Sequence, residues 1–243
     1  MTIKLFAAGA LLALSALCSQ AQAQTWTLTT TGHIDYGYDH MQLFGDIPDT
    51  GSWIGRDLTG LAYTETITVS TDPAQWEFSN TAGSATELYG NGPGYTVTVT
   101  VNGHTKTFSA NATVNGSQLI SSALSSNING AEVSSTMLGV TGGVQVLQVQ
   151  TYASSYSAAF VPTGSFYQSQ AFSQDVSGAE FNKSASFYFT NDITGPDIST
   201  MFGGTPDSIT VTISAVPEPS SYALMLAGLA MTGSIARRRK NRA

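Results

Sequence analysis

The chain has 243 residues and a formal net charge of −7, and only 10% of its residues are charged. Between Gln24 and Ala215 the basic residues are Arg56, Lys106 and Lys183 against fifteen acidic ones, a net of −12. Neutralising phosphate takes clustered Lys and Arg, so this span is excluded as a nucleic-acid binder. It is of single-domain size and can bury a core without a metal or disulfide staple.

Residues 1–23 have the three parts of a secretory signal peptide. Lys4 supplies positive charge, Leu5–Leu17 is an apolar run, and Ala21-Gln22-Ala23 is a small-x-small cleavage site. As a helix the run reaches about 20 Å, short of a hydrocarbon core of about 30 Å. It is therefore expected to be a signal helix cut after Ala23, so that the mature chain begins at Gln24. The one cysteine, Cys18, lies in this leader, and Leu17 before it does not suit a lipid-attachment site. The mature chain is thus expected to lack disulfides, thiolate ligands and a Cys nucleophile.

Residues 24–215 read as an acidic β-rich ectodomain. Its polar residues are mainly Ser, Thr, Gly and Asn, whose short side chains suit strands and turns better than helices. In chain order the strand candidates are Trp26–Thr31, Ala62–Ser70, Ala74–Ser79, Tyr95–Val101, His104–Ala110, Val133–Val140, Val144–Tyr152, Ser165–Phe172, Ala185–Thr190 and Ser208–Ser214. The clearest signal is Tyr95–Val101, where apolar residues alternate with Thr. Asn102-Gly103, a strong two-residue hairpin pair, follows it directly. Asp72-Pro73, Asn91-Gly92-Pro93-Gly94, Asn129-Gly130, Gly142-Gly143, Gly195-Pro196-Asp197 and Gly203-Gly204 read as turns. Ser117–Ser126 is the one helix-length stretch. No fixed-period repeat stands out, which argues against a solenoid or propeller. Many short strands with close-set turns predict an all-β fold, an antiparallel β-sandwich (jelly-roll-like) or barrel.

Candidate site residues concentrate between Gly32 and Leu61. His33, Asp35, Asp39, His40 and Asp46 lie close together, and on a regular strand His33, Asp35 and Asp39 share a face. Carboxylates in that arrangement, with backbone carbonyls, suit Ca²⁺. The spacing fits no EF-hand and no zinc motif, and Asp and Gly also favour turns for local reasons, so no cofactor is the plainer expectation. Gly-x-Ser-x-Gly is absent. Carboxylate pairs for glycoside hydrolysis can be drawn from Glu65, Glu77, Asp35 or Asp39, but any acidic protein offers such pairs. Trp26 and Trp76 read as core, whereas Trp53, in a Gly- and Asp-rich loop, is the candidate for a sugar-stacking ring.

The C-terminus, residues 216–243, opens with Val216-Pro217-Glu218-Pro219. An uncharged run, 220–236, follows, and then a basic tail, 237–243, with Arg237, Arg238 and Arg239. Two prolines one residue apart forbid a continuous helix or a central strand. The uncharged run predicts a single C-terminal transmembrane helix that a bilayer accommodates by thinning and snorkelling, and the arginines hold its end in the cytoplasm. These parts, in this order, resemble the PEP-CTERM sorting signal of Gram-negative, exopolysaccharide-producing bacteria. The resemblance implies recognition by an exosortase, a membrane-embedded cysteine transpeptidase that cuts near Pro217, Glu218 and Pro219. The stretch Gly32–Leu61 is also similar to a pattern in several secreted PEP-CTERM proteins.

The expectation is a non-enzymatic protein exported by its signal peptide, held briefly in the inner membrane by its C-terminal helix, then sorted to the cell surface or biofilm matrix. A carbohydrate-binding module for exopolysaccharide is the alternative, and a secreted hydrolase the third reading.

Overall fold

The computed structural model describes residues 24–45, 47, 56–76, 78–82, 85–89, 93–110, 118–121, 131–141, 145–155, 157–158, 160–162, 168–190, 199–215 and 228. Residues 1–23, Asp46, Trp53 and the C-terminal motif, with all of the predicted 220–236 helix except Gly228, lie outside them. Among the described residues no helix is long and apolar enough to cross a membrane. Gln24–Ala215 forms one compact unit.

Among the described residues that unit is a twelve-stranded, wholly antiparallel sheet. The strands are β1 (Gln24–Asp39), β2 (Ala62–Ser70), β3 (Phe78–Ala82), β4 (Ala85–Tyr89), β5 (Tyr95–Val101), β6 (His104–Ala110), β7 (Gln118–Ser121), β8 (Ala131–Thr141), β9 (Gln145–Ser155), β10 (Gln170–Asp175), β11 (Phe181–Thr190) and β12 (Ser199–Ala215). The spatial order is β3-β4-β7-β8-β9-β11-β12-β1-β2-β5-β6. β12 pairs with β1 along one edge, while its other edge is shared by β11 at Ser199–Gly204 and β10 at Ser208–Ile213.

Alternation builds the core. In β2 and β5 every second residue is buried, Tyr63, Glu65, Ile67 and Val69 facing inward beside Tyr95, Val97, Val99 and Val101. Thr fills the outward positions, because a β-branched side chain suits a pleated, half-exposed surface. The sheet doubles over so that its inner face meets itself. Tyr95 Oη donates to the Leu147 carbonyl across the core at 3.1 Å, and the Phe108 ring lies 5.5 Å from Phe187 and 4.5 Å from Phe189. Phe187 stacks on Phe202 at 5.5 Å, and Tyr63 sits 5.2 Å from Phe202. Trp26 and Trp76 are both buried, as expected of large aromatic side chains.

Several expectations need correction. Ala74–Ser79 is not a strand: Pro73–Gln75 form a 3-10 turn, with Asp72 Oδ1 accepting from Ala74 N, and pairing starts only at Phe78. Within the helix-length stretch 117–126, Gln118–Ser121 is strand β7, so tertiary pairing overrides weak local propensity. The Gln170–Asp175 strand begins later than its predicted start at Ser165. Gly203-Gly204 is no turn but the interior of β12. There the missing side chains make room for aromatic rings from neighbouring strands, Tyr36 over Gly203 and Tyr63 against Gly204. By contrast β2, β5 and β6 coincide with their predicted bounds, and Asn102 (φ 51°) and Gly103 (φ 74°) adopt the left-handed pair a type I′ hairpin requires.

Glu65, on β2, is sealed in the core and is 0% exposed. Its Oε1 accepts from Thr151 Oγ1 at 2.8 Å, and Thr151 in turn accepts from Thr30 at 3.4 Å, while Oε2 has no partner. Burial pushes its carboxyl up to about 8, the Thr151 hydrogen bond opposing that shift.

Two outcomes follow for stability. The folded pKa of Glu65 lies above the unfolded value, so its favourable contribution is complete below about pH 4.5 and is lost as pH rises through about 8. Glu65→Gln should flatten that fall, raising stability at pH 8–9 relative to wild type by a few kcal/mol; urea unfolding at pH 5 and pH 9 reads it. A Cβ at Gly32 would stand 2.2 Å from the Thr205 carbonyl oxygen and 2.9 Å from the Tyr63 ring. Gly32→Ala should cost about 2–3 kcal/mol by forcing β1 and β12 apart, measured as a lowered urea midpoint.

Candidate functional site

Among the described residues the ladder between β1 and β12 carries a marked local irregularity. Their register shifts twice: Asp207 is the extra residue on β12, between the pairs Thr31–Ser208 and Gly32–Pro206, and Asp35 is the extra residue on β1, between Ile34–Gly204 and Tyr36–Gly203. Each is a β-bulge, which re-aims side chains. Pro206 lies beside the Asp207 bulge and opposite neither β10 nor β11 in their ladders, so the amide it lacks interrupts nothing on that edge. The Asp207 carbonyl instead accepts from Val176 N at 2.9 Å.

The bulge at Asp35 overturns the expectation that Asp35 and Asp39 share a face. Before it, Trp26, Leu28 and Ile34 face inward; after it, Asp39 does. His33 and Asp35 are exposed on the outer face, whereas Asp39 is 0% exposed. Both Asp39 oxygens are engaged: Oδ1 accepts from Leu43 N at 2.9 Å and Thr200 Oγ1 at 2.6 Å, and Oδ2 from Phe44 N at 2.7 Å. Asp39 therefore ties down the turn that follows β1. Among the described residues no three His, Asp or Glu side chains converge as a metal-holding group.

On the outer face four polar side chains come together in two pairs. His33 Nδ1 lies 2.7 Å from Asp207 Oδ2, and Thr205 Oγ1 donates to Asp35 Oδ2 at 2.7 Å. Beside them the Tyr36 ring covers Gly203, where a Cβ would come within 2.4 Å of it, and Tyr36 itself is 59% exposed. Gly203 is required here because any side chain would lift the ring off the sheet. An open hollow of about 350 Å³ borders the same corner, lined by residues 61–64, Thr100, Asn102 and Gly103. Ala62 of this lining is the ladder partner of His33. Tyr63 also lines it, and its hydroxyl is buried with no hydrogen-bond partner. Burial first, then the charges of Glu65, Asp207 and Asp35, push that phenol well above its ordinary range. An exposed ring flanked by carboxylates, an imidazole and hydroxyls can stack on and hydrogen-bond a polyhydroxylated ligand.

Of the residues singled out from the sequence, His33 and Asp35 belong to this corner, Asp39 and Glu65 are sealed away from it, and Asp46, Trp53 and Glu77 lie outside the described residues. Tyr36, Thr205 and Asp207 were not singled out. Their signal was indirect: a Gly pair inside an otherwise strand-like segment marks a bulge or a close approach.

A protein-family model described as PEP-CTERM protein-sorting motif matches residues 215–240. Comparison with curated proteins and with solved structures finds no match. The matched span takes in Pro217, Glu218, Pro219, Arg237, Arg238 and Arg239, and it starts at Ala215, the last residue of β12. The chain therefore carries a PEP-CTERM sorting motif that begins where its last strand ends.

Proposed function

We propose that the chain is an exported surface or extracellular-matrix protein, non-enzymatic, delivered by a signal peptide and sorted by an exosortase acting at Pro217-Glu218-Pro219. The carrying observation is where the last strand ends. β12 ends at Ala215, where the motif match begins, and Ala215 is the ladder partner of Gln24, the predicted first mature residue. Trimming after Ala23 and near Pro217 would thus leave every strand of the sheet whole. A transient stay in the inner membrane through 220–236, then release to the cell surface or medium, follows from the same reading.

Against the hydrolase reading stand the burial of Glu65 and Asp39, which removes both from any cleft. The exposed Tyr36 ring laid over Gly203 favours carbohydrate binding as the second reading.

Replacing Pro217, Glu218 and Pro219 together with Ala should block sorting in the native host. Immunoblots of fractionated cells should then show the full-length chain accumulating in the membrane, where wild type gives a shorter species at the surface or in the medium. Identical processing of the two, or wild type found whole in the cytosol with its leader attached, would overturn the proposal.

A further inference from the structure

The outer face of β10, β12, β1, β2, β5 and β6 is a lattice of hydroxyls. Its middle row, in ladder register from strand to strand, reads Ser173, Thr210, Thr29, Thr66, Thr98 and Thr107. The rows on either side repeat this, with Ala171 and Asp175 as the exceptions, so sixteen of eighteen positions are Thr or Ser. None of them is buried. Neighbouring hydroxyls pair across the strands: Thr29–Thr66 at 3.0 Å, Thr98–Thr107 at 3.1 Å, Thr100–Thr105 at 2.8 Å, Thr31–Ser208 at 2.7 Å and Ser173–Thr210 at 2.9 Å.

We propose that this face binds a neutral polysaccharide chain, with Tyr36 as a stacking platform at one end. This deepens the carbohydrate reading above and is independent of the sorting motif. Three observations select the occupant. The first is charge: within a span of net charge −12 the lattice holds a single carboxylate, Asp175 at its corner, and no cation. Of the three basic residues, Lys183 is spent on the carbonyls of Val176 and Gly178, Lys106 pairs with inward-facing Val99, and Arg56 lies off the lattice. An anionic polymer would meet repulsion with no compensating contact. The second is shape. Strands about 4.8 Å apart and outward residues about 6.7 Å apart make a patch of roughly 24 by 13 Å, suited to a linear polymer and lacking the concavity a small ligand needs. The third is chemistry. The paired hydroxyls keep spare lone pairs, and couples such as Thr29–Thr66 and Thr98–Thr107 also keep a spare donor, whereas Ser173 donates to the Ile209 carbonyl. Threonine is stiff at χ1, so little rotamer freedom remains to be lost on binding. On β1 the lattice runs through Thr31 and His33 to Tyr36, beside the hollow where the Tyr63 hydroxyl lacks a partner.

The test uses the purified full chain in mild detergent, with insoluble cellulose and curdlan as neutral probes and immobilised alginate as the anionic one. Retention is expected on at least one neutral glucan, not on alginate, and unchanged between 0.1 and 1 M NaCl because no ion pairs are involved. Thr66→Arg, at the centre of the lattice, and Tyr36→Ala should each weaken retention at least tenfold, while Ser184→Arg, on exposed β11 surface outside it, should not. Thr107→Arg on the end strand β6 replaces Thr66→Arg if the latter lowers the melting temperature markedly. Four results would overturn the proposal: no retention on either neutral glucan, equal or stronger retention on alginate, retention indifferent to both lattice and Tyr36 variants, or inhibition of ice recrystallisation without glucan retention, which would reassign the face to ordered water.

Discussion

Two long neighbouring strands, β1 and β12, have to pass each other through the middle of the sheet, and the close contact of their backbones constrains everything around them. Their close pairing needs Gly32 and Gly37 on one strand and Gly203 and Gly204 on the other, where any Cβ would strike a carbonyl or a ring. Sheet twist accumulates over such lengths, and the two bulges at Asp35 and Asp207 increase it locally by inserting one residue on each side. The aromatic rings of Tyr63 and Tyr36 then fill the space above the glycines, one from the core and one from the solvent side. Core order and the outer polar corner are thus two faces of a single backbone accommodation.

Away from that crossing the same strands obey plain alternation, and this splits the chemistry cleanly. Aliphatic and aromatic side chains go inward, most hydroxyls go outward (Thr30, Thr151 and Thr200 are buried exceptions), and the acids are largely kept off the central outer surface. Among the described residues two carboxylates, Asp39 and Glu65, enter the interior. Asp39 does so with its oxygens satisfied by three donors, which makes it a fastener for the turn at Leu43 and Phe44. Glu65 does so with one oxygen unsatisfied, which makes it a cost that protonation reduces. The contrast follows from backbone amides: a chain reversal supplies free N–H groups to Asp39, whereas the strand that carries Glu65 has its amides already committed to the ladders.

How much of this was legible in the sequence depended on the range of the interaction. β2, β5, β6 and the Asn102-Gly103 turn were readable to the residue, because alternation and a two-residue turn are both local. Trp26 and Trp76 are buried as large aromatic rings usually are, although Trp76 lies outside any strand. The bulges were not readable, since one inserted residue leaves no compositional trace, and so Asp35 and Asp39 were expected on one side of a strand that in fact changes phase between them. Gly203-Gly204 looked like punctuation because the rings that fill it come from Tyr36 and Tyr63, more than a hundred positions away. The candidate corner was half visible for that reason: His33 and Asp35 stood out, and their partners Asp207 and Thr205 did not.

The pairing of Gln24 with Ala215 bears on mechanics. Any pull transmitted along residue 215 enters through β12, which is flanked on both edges rather than lying at the rim. Antiparallel hydrogen bonds run perpendicular to the strands, so such a load is resisted in shear by many bonds at once instead of being peeled one bond at a time. A domain hung from an interior strand can withstand drag that would strip it from a terminal one.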